Sequence, residues 1–198
     1  MKNQLKRLKD GNQRFVSGTT IHDIDSISSQ RISVVKAQEP FAVILGCSDS
    51  RVPAELVFDQ GLGDLFVIRV AGNVVAPSQI GSVEFAVSMF GSPLVVVLGH
   101  SNCGAIEATI DAMKNPDEST SINIQSIVKR IKPAIEPLLL NHTLDQVRTE
   151  DAVKANVLKS VAQLTSSSEI IESKVADGQL NVIGACYDLK TGVVDFYD

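Results

Sequence analysis

The sequence predicts an α/β fold: a mainly parallel central sheet of four to five strands flanked by helices, with an N-terminal helical arm. Two observations carry this. Short apolar runs recur at Phe41–Leu45, Leu65–Ile68, Leu94–Leu98 and Leu180–Ala185, the last broken only by Asn181 and Gly184. Segments apolar at nearly every position, rather than every second one, are strands buried on both faces. Stripes of apolar residues at helical spacing alternate with these runs.

The elements follow in chain order. Leu5, Leu8 and Phe15 share one side of a first helix, with Lys2, Lys6, Arg7 and Lys9 forming its solvated face. A polar stretch from Ser17 to Ser29, holding His22, Asp23 and Asp25, reads as a connector. Ile32, Val34 and Val35 then start a short helix that ends before Pro40. Residues 1–35 are taken as an arm on one domain spanning 1–198. Gly46 and Gly99 stop the first and third strands. Ile80, Val83, Val87 and Phe90 mark one helix, and Ile106, Ile110 and Met113 the next. Ile124, Ile127, Ile131, Ile135 and Leu138 mark a longer one bent at Pro133. Val153, Val157, Val161 and Leu164 mark another, and Val193–Tyr197 adds an edge strand after the turn Lys190-Thr191-Gly192.

Composition narrows the function. Against 23 Asp and Glu stand 18 Lys and Arg, a net charge of −5 that disfavours nucleic acid and anionic membrane as partners. No apolar run approaches the roughly 20 residues of a bilayer span, and Met1–Phe15 lacks the apolar stretch of a signal peptide. A cytoplasmic location is expected. Cysteines number three, Cys47, Cys103 and Cys186, an odd and sparse count that argues against a disulfide framework.

In open α/β sheets, sites gather beyond the carboxyl ends of strands, where the strand order reverses. The first strand is followed by Cys47-Ser48-Asp49-Ser50-Arg51, and the third by His100-Ser101-Asn102-Cys103-Gly104. Cys47, His100 and Cys103 make a sound zinc set that leaves a fourth position for water or substrate. Cys103 falls at the start of the helix bearing Ile106, where the helix dipole favours a thiolate. Buried thiols or thiol redox chemistry are the other uses these residues allow, and the lack of a Cys-x-x-Cys pair argues against redox. Asp49 can complete a closed site as fourth ligand, or be held off the metal by a bidentate Arg51. The bland alternative is an ordinary loop ion pair.

Cys-Ser-Asp-Ser-Arg at 47–51 followed by His-Ser-Asn-Cys-Gly-Ala at 100–105 resembles the beta-class carbonic anhydrases. Gln38-Glu39-Pro40, Gly61, Phe66, Arg69, Asn73 and Tyr187-Asp188-Leu189 with Thr191-Gly192 extend the likeness along most of the chain. The resemblance implies hydration of carbon dioxide to bicarbonate and a proton by zinc-bound hydroxide. It implies Cys47, His100 and Cys103 as Zn2+ ligands and Asp49 and Arg51 as a catalytic dyad. Gln38, Phe66, Ala71, Phe85 and the Gly104 backbone would line the substrate pocket. It also implies a homodimer or homotetramer, with arms packed on a second subunit and the pocket partly built across the interface. Carbonyl sulfide or carbon disulfide hydrolysis on the same scaffold is the rival activity. A non-catalytic structural-zinc protein is the rival class, though it would have no need of Asp49, Arg51 and Gln38.

The chain departs from the family pattern in places. Phe85 stands where Tyr is common and Val70 where Asn is common. Ile44 stands where the bicarbonate-regulated subgroup carries Trp, although Arg69 matches that subgroup's Arg. No regulatory bicarbonate site of that design is expected. His22 is read as a surface residue, His142 as part of a loop or cap, and Cys186 as a packed strand thiol.

Overall fold

The computed structural model describes residues 2–22, 24–116, 121–140 and 143–197. Its strands are β1 (Ala42–Gly46), β2 (Leu65–Arg69), β3 (Leu94–His100), β4 (Asn181–Tyr187) and β5 (Val194–Tyr197). They form a sheet in the order β2-β1-β3-β4-β5. The first four run parallel, and β5 is antiparallel to β4. The helices are α1 (Lys2–Ser17), α2 (Ile24–Ser33), α3 (Ala54–Val57), α4 (Pro77–Met89), α5 (Gly104–Lys114), α6 (Ile122–Ile135), α7 (Thr149–Ser166) and α8 (Glu169–Ala176). Among the described residues, no helix is long and apolar enough to cross a membrane.

The sheet explains why its strands read as unbroken apolar runs. Ala42 and Ile44 of β1 and Leu94, Val96 and Leu98 of β3 pack toward Leu8 of α1 and Val57 of α3. Val43, Leu45, Val95 and Val97 face the other way, toward Val83 and Val87 of α4 and Val157 and Leu164 of α7. Both faces are covered, so every position is apolar. A third cluster, with Ile106, Ile110, Ile131, Ile135 and Val153, closes over the carboxyl end of the sheet and includes Cys47 and Cys103.

Two glycines set the height of α7 above the sheet. A Cβ on Gly99 would lie 2.6 Å from Val157 Cγ2, and one on Gly184 would lie 2.7 Å from Val157 Cγ1. The helix therefore rests on strand backbone rather than on side chains.

The arm is pinned more firmly than its polar sequence suggests. Asn12 is buried, with Nδ2 donating to Val57 O at 3.1 Å and Gly192 O at 2.8 Å. Its Oδ1 accepts from Val194 N at 2.9 Å. Buried Asp59 accepts from Arg14 Nε at 2.5 Å and from the backbone of Ile21 and His22. His22, expected on the surface, thus belongs to this clamp, with Nδ1 3.3 Å from Asp59 Oδ1. Two members of the expected solvated face also meet the body. Arg7 stacks 4.0 Å above Phe41 and pairs with Asp64 at 2.7 Å, and Lys9 Nζ lies 5.2 Å from the Phe196 ring.

Other expectations need correction. The supposed connector contains α2, whereas the helix expected from Ile32 to Pro40 is absent and the chain leaves α2 after Ser33. Gln30 Oε1 accepts from Leu62 N at 3.1 Å, so a tertiary contact anchors a segment with little apolar periodicity. α8 follows a Ser168 cap that accepts from Ile171 N at 3.2 Å. The stripe through Leu138 is divided: α6 ends at Ile135, just past Pro133, and tightens into a 3-10 turn over Glu136–Leu140. His142 lies outside the described residues.

Candidate metal centre

β1 lies between β2 and β3, so the chain leaves it to one side and later returns to the other. The carboxyl ends of β1 and β3 flank that reversal. Cys47 follows β1 directly, and His100 is the last residue of β3. Asn102 then takes a left-handed conformation at φ 52, which Asn tolerates better than most residues. The turn delivers Cys103 as the residue capping α5. Ser101 braces it, with its N–H donating to Tyr187 O at 3.0 Å and its Oγ accepting from Leu189 N at 2.9 Å.

The ligand atoms of Cys47, His100 and Cys103 lie within 4.8 Å of one another, and the three residues are 5%, 0% and 2% exposed. His100 Nδ1 donates to Ser101 O at 2.9 Å, which leaves the lone pair on Nε2. Nε2 is buried and has no hydrogen-bond partner among the described residues. An orphaned imidazole nitrogen beside two thiols is the donor set a zinc ion requires.

The electrostatics agree. The Cys47 thiol is pulled down to about 4, chiefly by its hydrogen bond with Cys103, against burial, with help from His100 and the Gly72 N–H. Cys103 moves upward through the same bond and through burial. Zinc binds cysteine as thiolate, so a divalent cation held here would displace the proton of this sulfur–sulfur bond. His100 rises despite its burial, because it faces the Cys47 sulfur.

Asp49 and Arg51 stand beside this cluster. Arg51 Nε donates to Asp49 Oδ1 at 2.9 Å and Nη2 to Oδ2 at 2.7 Å, a bidentate pair. The Arg51 backbone N–H also donates to Oδ1 at 2.9 Å. These bonds hold the Asp49 carboxyl far below the usual carboxylate range. Asp49 Oδ2 is 3.9 Å from His100 Nε2, at the edge of the cluster. Arg69 fixes the turn from below, donating through Nε to Cys47 O at 3.0 Å and through Nη2 to Asp49 O at 2.6 Å.

Of the other expected site residues, Ala71 and Gly104 join this group. Ala71 opens the turn whose Gly72 N–H donates to Cys47 Sγ at 3.4 Å. Gly104 begins α5, and a Cβ placed there would meet nothing within 4 Å. Gln38, Phe66 and Phe85 are not brought to Cys47 within the chain. Phe66 is in register with Val43, four residues before Cys47 and so about 13 Å back along the strand. Gln38 lies further back still, ahead of β1. Phe85 is 50% exposed and packs on Phe66 and Phe90, with ring centroids 6.2 and 5.6 Å away. Cys186 is a half-buried thiol of β4, as expected. Sequence reasoning missed the Gly72 N–H on Cys47, the Arg69 brace, and Asn156, whose Nδ2 donates to Gly72 O at 2.8 Å. The one available signal was Asn156, an amide set among Val153, Val157 and Val161.

Comparisons with known proteins agree with this geometry. A family model described as Carbonic anhydrase matches residues 42–194. A carbonic anhydrase of Mycolicibacterium smegmatis is 43% identical over 190 residues, covering 96% of this chain and 90% of that protein. Carbonic anhydrase 2 of Mycobacterium tuberculosis is 40% identical over 187 residues, covering 94% and 88%. Among solved structures, the beta-carbonic anhydrase CcaA matches with a TM-score of 0.76 at 26% identity, covering 99% of this chain and 88% of that one. A Coccomyxa beta-carbonic anhydrase in complex with acetazolamide matches at 0.74 and 25% identity, covering 97% and 85%.

Proposed function

The chain belongs to the beta-class carbonic anhydrases, and we propose that it interconverts carbon dioxide and bicarbonate at a zinc ion held by Cys47, His100 and Cys103. The observation that carries the reading is the buried His100 Nε2, which faces two thiols and has no hydrogen-bond partner among the described residues. Two thiolates balance the charge of Zn2+, and three protein ligands leave one position open. Bound zinc supplies Lewis acidity that brings the pKa of a water ligand toward neutrality.

The chain's own groups do the rest. With zinc held there, Asp49, fixed by Arg51, would accept a hydrogen bond from the group beside the cluster and so orient it. Should Arg51 release it, Asp49, with Oδ2 3.9 Å from His100 Nε2, would be the residue to serve as fourth ligand and close the site. Ala71 forms part of the apolar wall, and the Gly104 backbone faces open space at the start of α5.

Phe66 lies level with Val43, Phe85 packs on Phe66, and Gln38 precedes β1, so all three sit back from their own Cys47. We assign them to the pocket of a second copy. Support comes from the apolar surface at Phe85 and Met89, 50% and 66% exposed, which a homodimer would cover, alone or within a tetramer. Three thiols outside any disulfide suit a reducing compartment, and on that support we assign the enzyme to the cytoplasm, as one catalytic unit with an N-terminal arm.

Stopped-flow hydration of carbon dioxide on metal-quantified protein tests the reading. Turnover that follows zinc content and vanishes in Cys103→Ala supports it. Background rates from fully zinc-loaded protein would overturn it.

A further inference from the structure

A polar stripe on α7 grips the loop that touches the Cys47 sulfur. Asn156 is 2% exposed, and its Nδ2 donates to Gly72 O at 2.8 Å. One turn on, Ser160 Oγ donates to Asn73 O at 3.3 Å, and Gln163 Nε2 reaches Val75 O at 3.4 Å. The same loop begins with the Gly72 N–H that donates to Cys47 Sγ at 3.4 Å. Gly72 has φ +66, and a Cβ there would lie 2.7 Å from Ile131 Cδ1 and 3.1 Å from Ala105 Cβ. The loop is thus wedged between α5 and α6 on one side and tied to α7 on the other.

We propose that Asn156 is a positioning residue for the Cys47 sulfur: by holding Gly72 O it keeps the Gly72 N–H on Sγ and so sets how strongly that thiolate donates to the metal. This rests on the reading of Cys47 as a metal ligand. An N–H that donates to a thiolate draws charge away from the metal–sulfur bond and fixes the sulfur's direction, as partners of metal ligands generally do. Asn156 lies between Val153 and Val157 on a buried helix face. A buried amide there is retained at the cost of its desolvation, which the bond to Gly72 O offsets. Ser160 and Gln163 tie down the loop further on, and Asn156 alone of the three holds the residue whose N–H reaches sulfur.

Three measurements on the full-length chain test this. In wild-type protein loaded with 113Cd, the Gly72 amide proton should show a coupling to cadmium through the N–H···S bond. Asn156→Asp keeps the shape but replaces the donor with an acceptor, and Asn156→Ser is a milder loss. Both should shift the thiolate-to-metal charge-transfer band of the cobalt-loaded protein, and the Asp variant should release zinc to a chelator roughly tenfold faster. Val161→Ala, on the same helix but packed on the sheet near Gly184, should lower the thermal midpoint and leave band and release rate unchanged. The inference fails if the cadmium coupling is missing, if folded Asn156 variants keep the wild-type band and release rate, or if Val161→Ala shifts them equally. Wild-type protein that takes up neither cobalt nor cadmium overturns the metal reading itself, and this inference with it.

Discussion

Asp49 Oδ2 stands 3.9 Å from His100 Nε2 while accepting from Arg51 Nη2 at 2.7 Å. The carboxylate therefore borders the ligand cluster without joining it, and Arg51 is the group that keeps it there. Loss of that hold should release Asp49 toward the metal. Arg51→Ala is expected to lower carbon dioxide hydration about 100-fold, at the lower end for positioned acid–base groups. X-ray absorption at the zinc edge should show an added oxygen ligand in the variant. An unchanged first shell with unchanged turnover would contradict this role for Arg51.

Removal of metal should cost stability, because the cluster forms only in the folded chain. Zinc at about 100 times its Kd adds about 2.7 kcal/mol. At about 2–4 °C per kcal/mol for a chain of this size, chelated protein should melt about 5–10 °C lower. Calorimetry before and after readdition of zinc checks the figure, and Cys103→Ala should show no zinc response.

The separation of Gln38 from Cys47 along β1 allows a complementation test. A hybrid dimer of one Gln38→Ala subunit and one Cys103→Ala subunit contains one intact zinc cluster, and that cluster meets the intact Gln38 of its neighbour. If the pocket is shared, the hybrid has one working site in two, while both parent dimers are impaired. If Gln38 served its own chain, the hybrid would be no better than the Gln38→Ala parent.

Asp59 makes the arm clamp acid-sensitive. Burial raises its carboxyl, yet Arg14 and the N–H groups of Ile21 and His22 outweigh that and hold it below the ordinary range. A folded-state value below the unfolded one, about 3.9, stabilises the fold at higher pH. That contribution is lost as pH falls below about 4 and through the folded-state value. Asp59→Asn should cost about 2 kcal/mol at neutral pH and flatten the acid limb of a stability–pH curve followed by urea unfolding. An equal acid slope in both proteins would remove Asp59 from this account.

The parts legible in the sequence were those in which a single residue type reports its own surroundings. Leu94–Leu98 could be assigned to a central strand because burial on both faces leaves no polar position. Cys47, His100 and Cys103 could be grouped because strand ends converge at the reversal between β1 and β3. α2 was hidden because its anchor, Gln30 to Leu62, is a contact between distant segments rather than a pattern. The Arg69 brace was hidden for the same reason, because its Nε and Nη2 reach the carbonyls of Cys47 and Asp49 from a different strand. Whether Gln38 and Phe66 would serve their own chain's site or a second copy's is not encoded in spacing at all, since one chain's sequence is the same in either arrangement.

The bare backbone at Gly99 and Gly184 under Val157 gives the enzyme a vulnerability remote from its reagents. One added methyl at either glycine would lift α7 off its seat, and Asn156 with it. Gly99→Ala and Gly184→Ala should therefore lower the thermal midpoint and disturb the Asn156 bond to Gly72 together. For an engineer, the pair marks a shim beneath the metal centre. Altering its thickness would tune the site through the height of a helix rather than through its ligands.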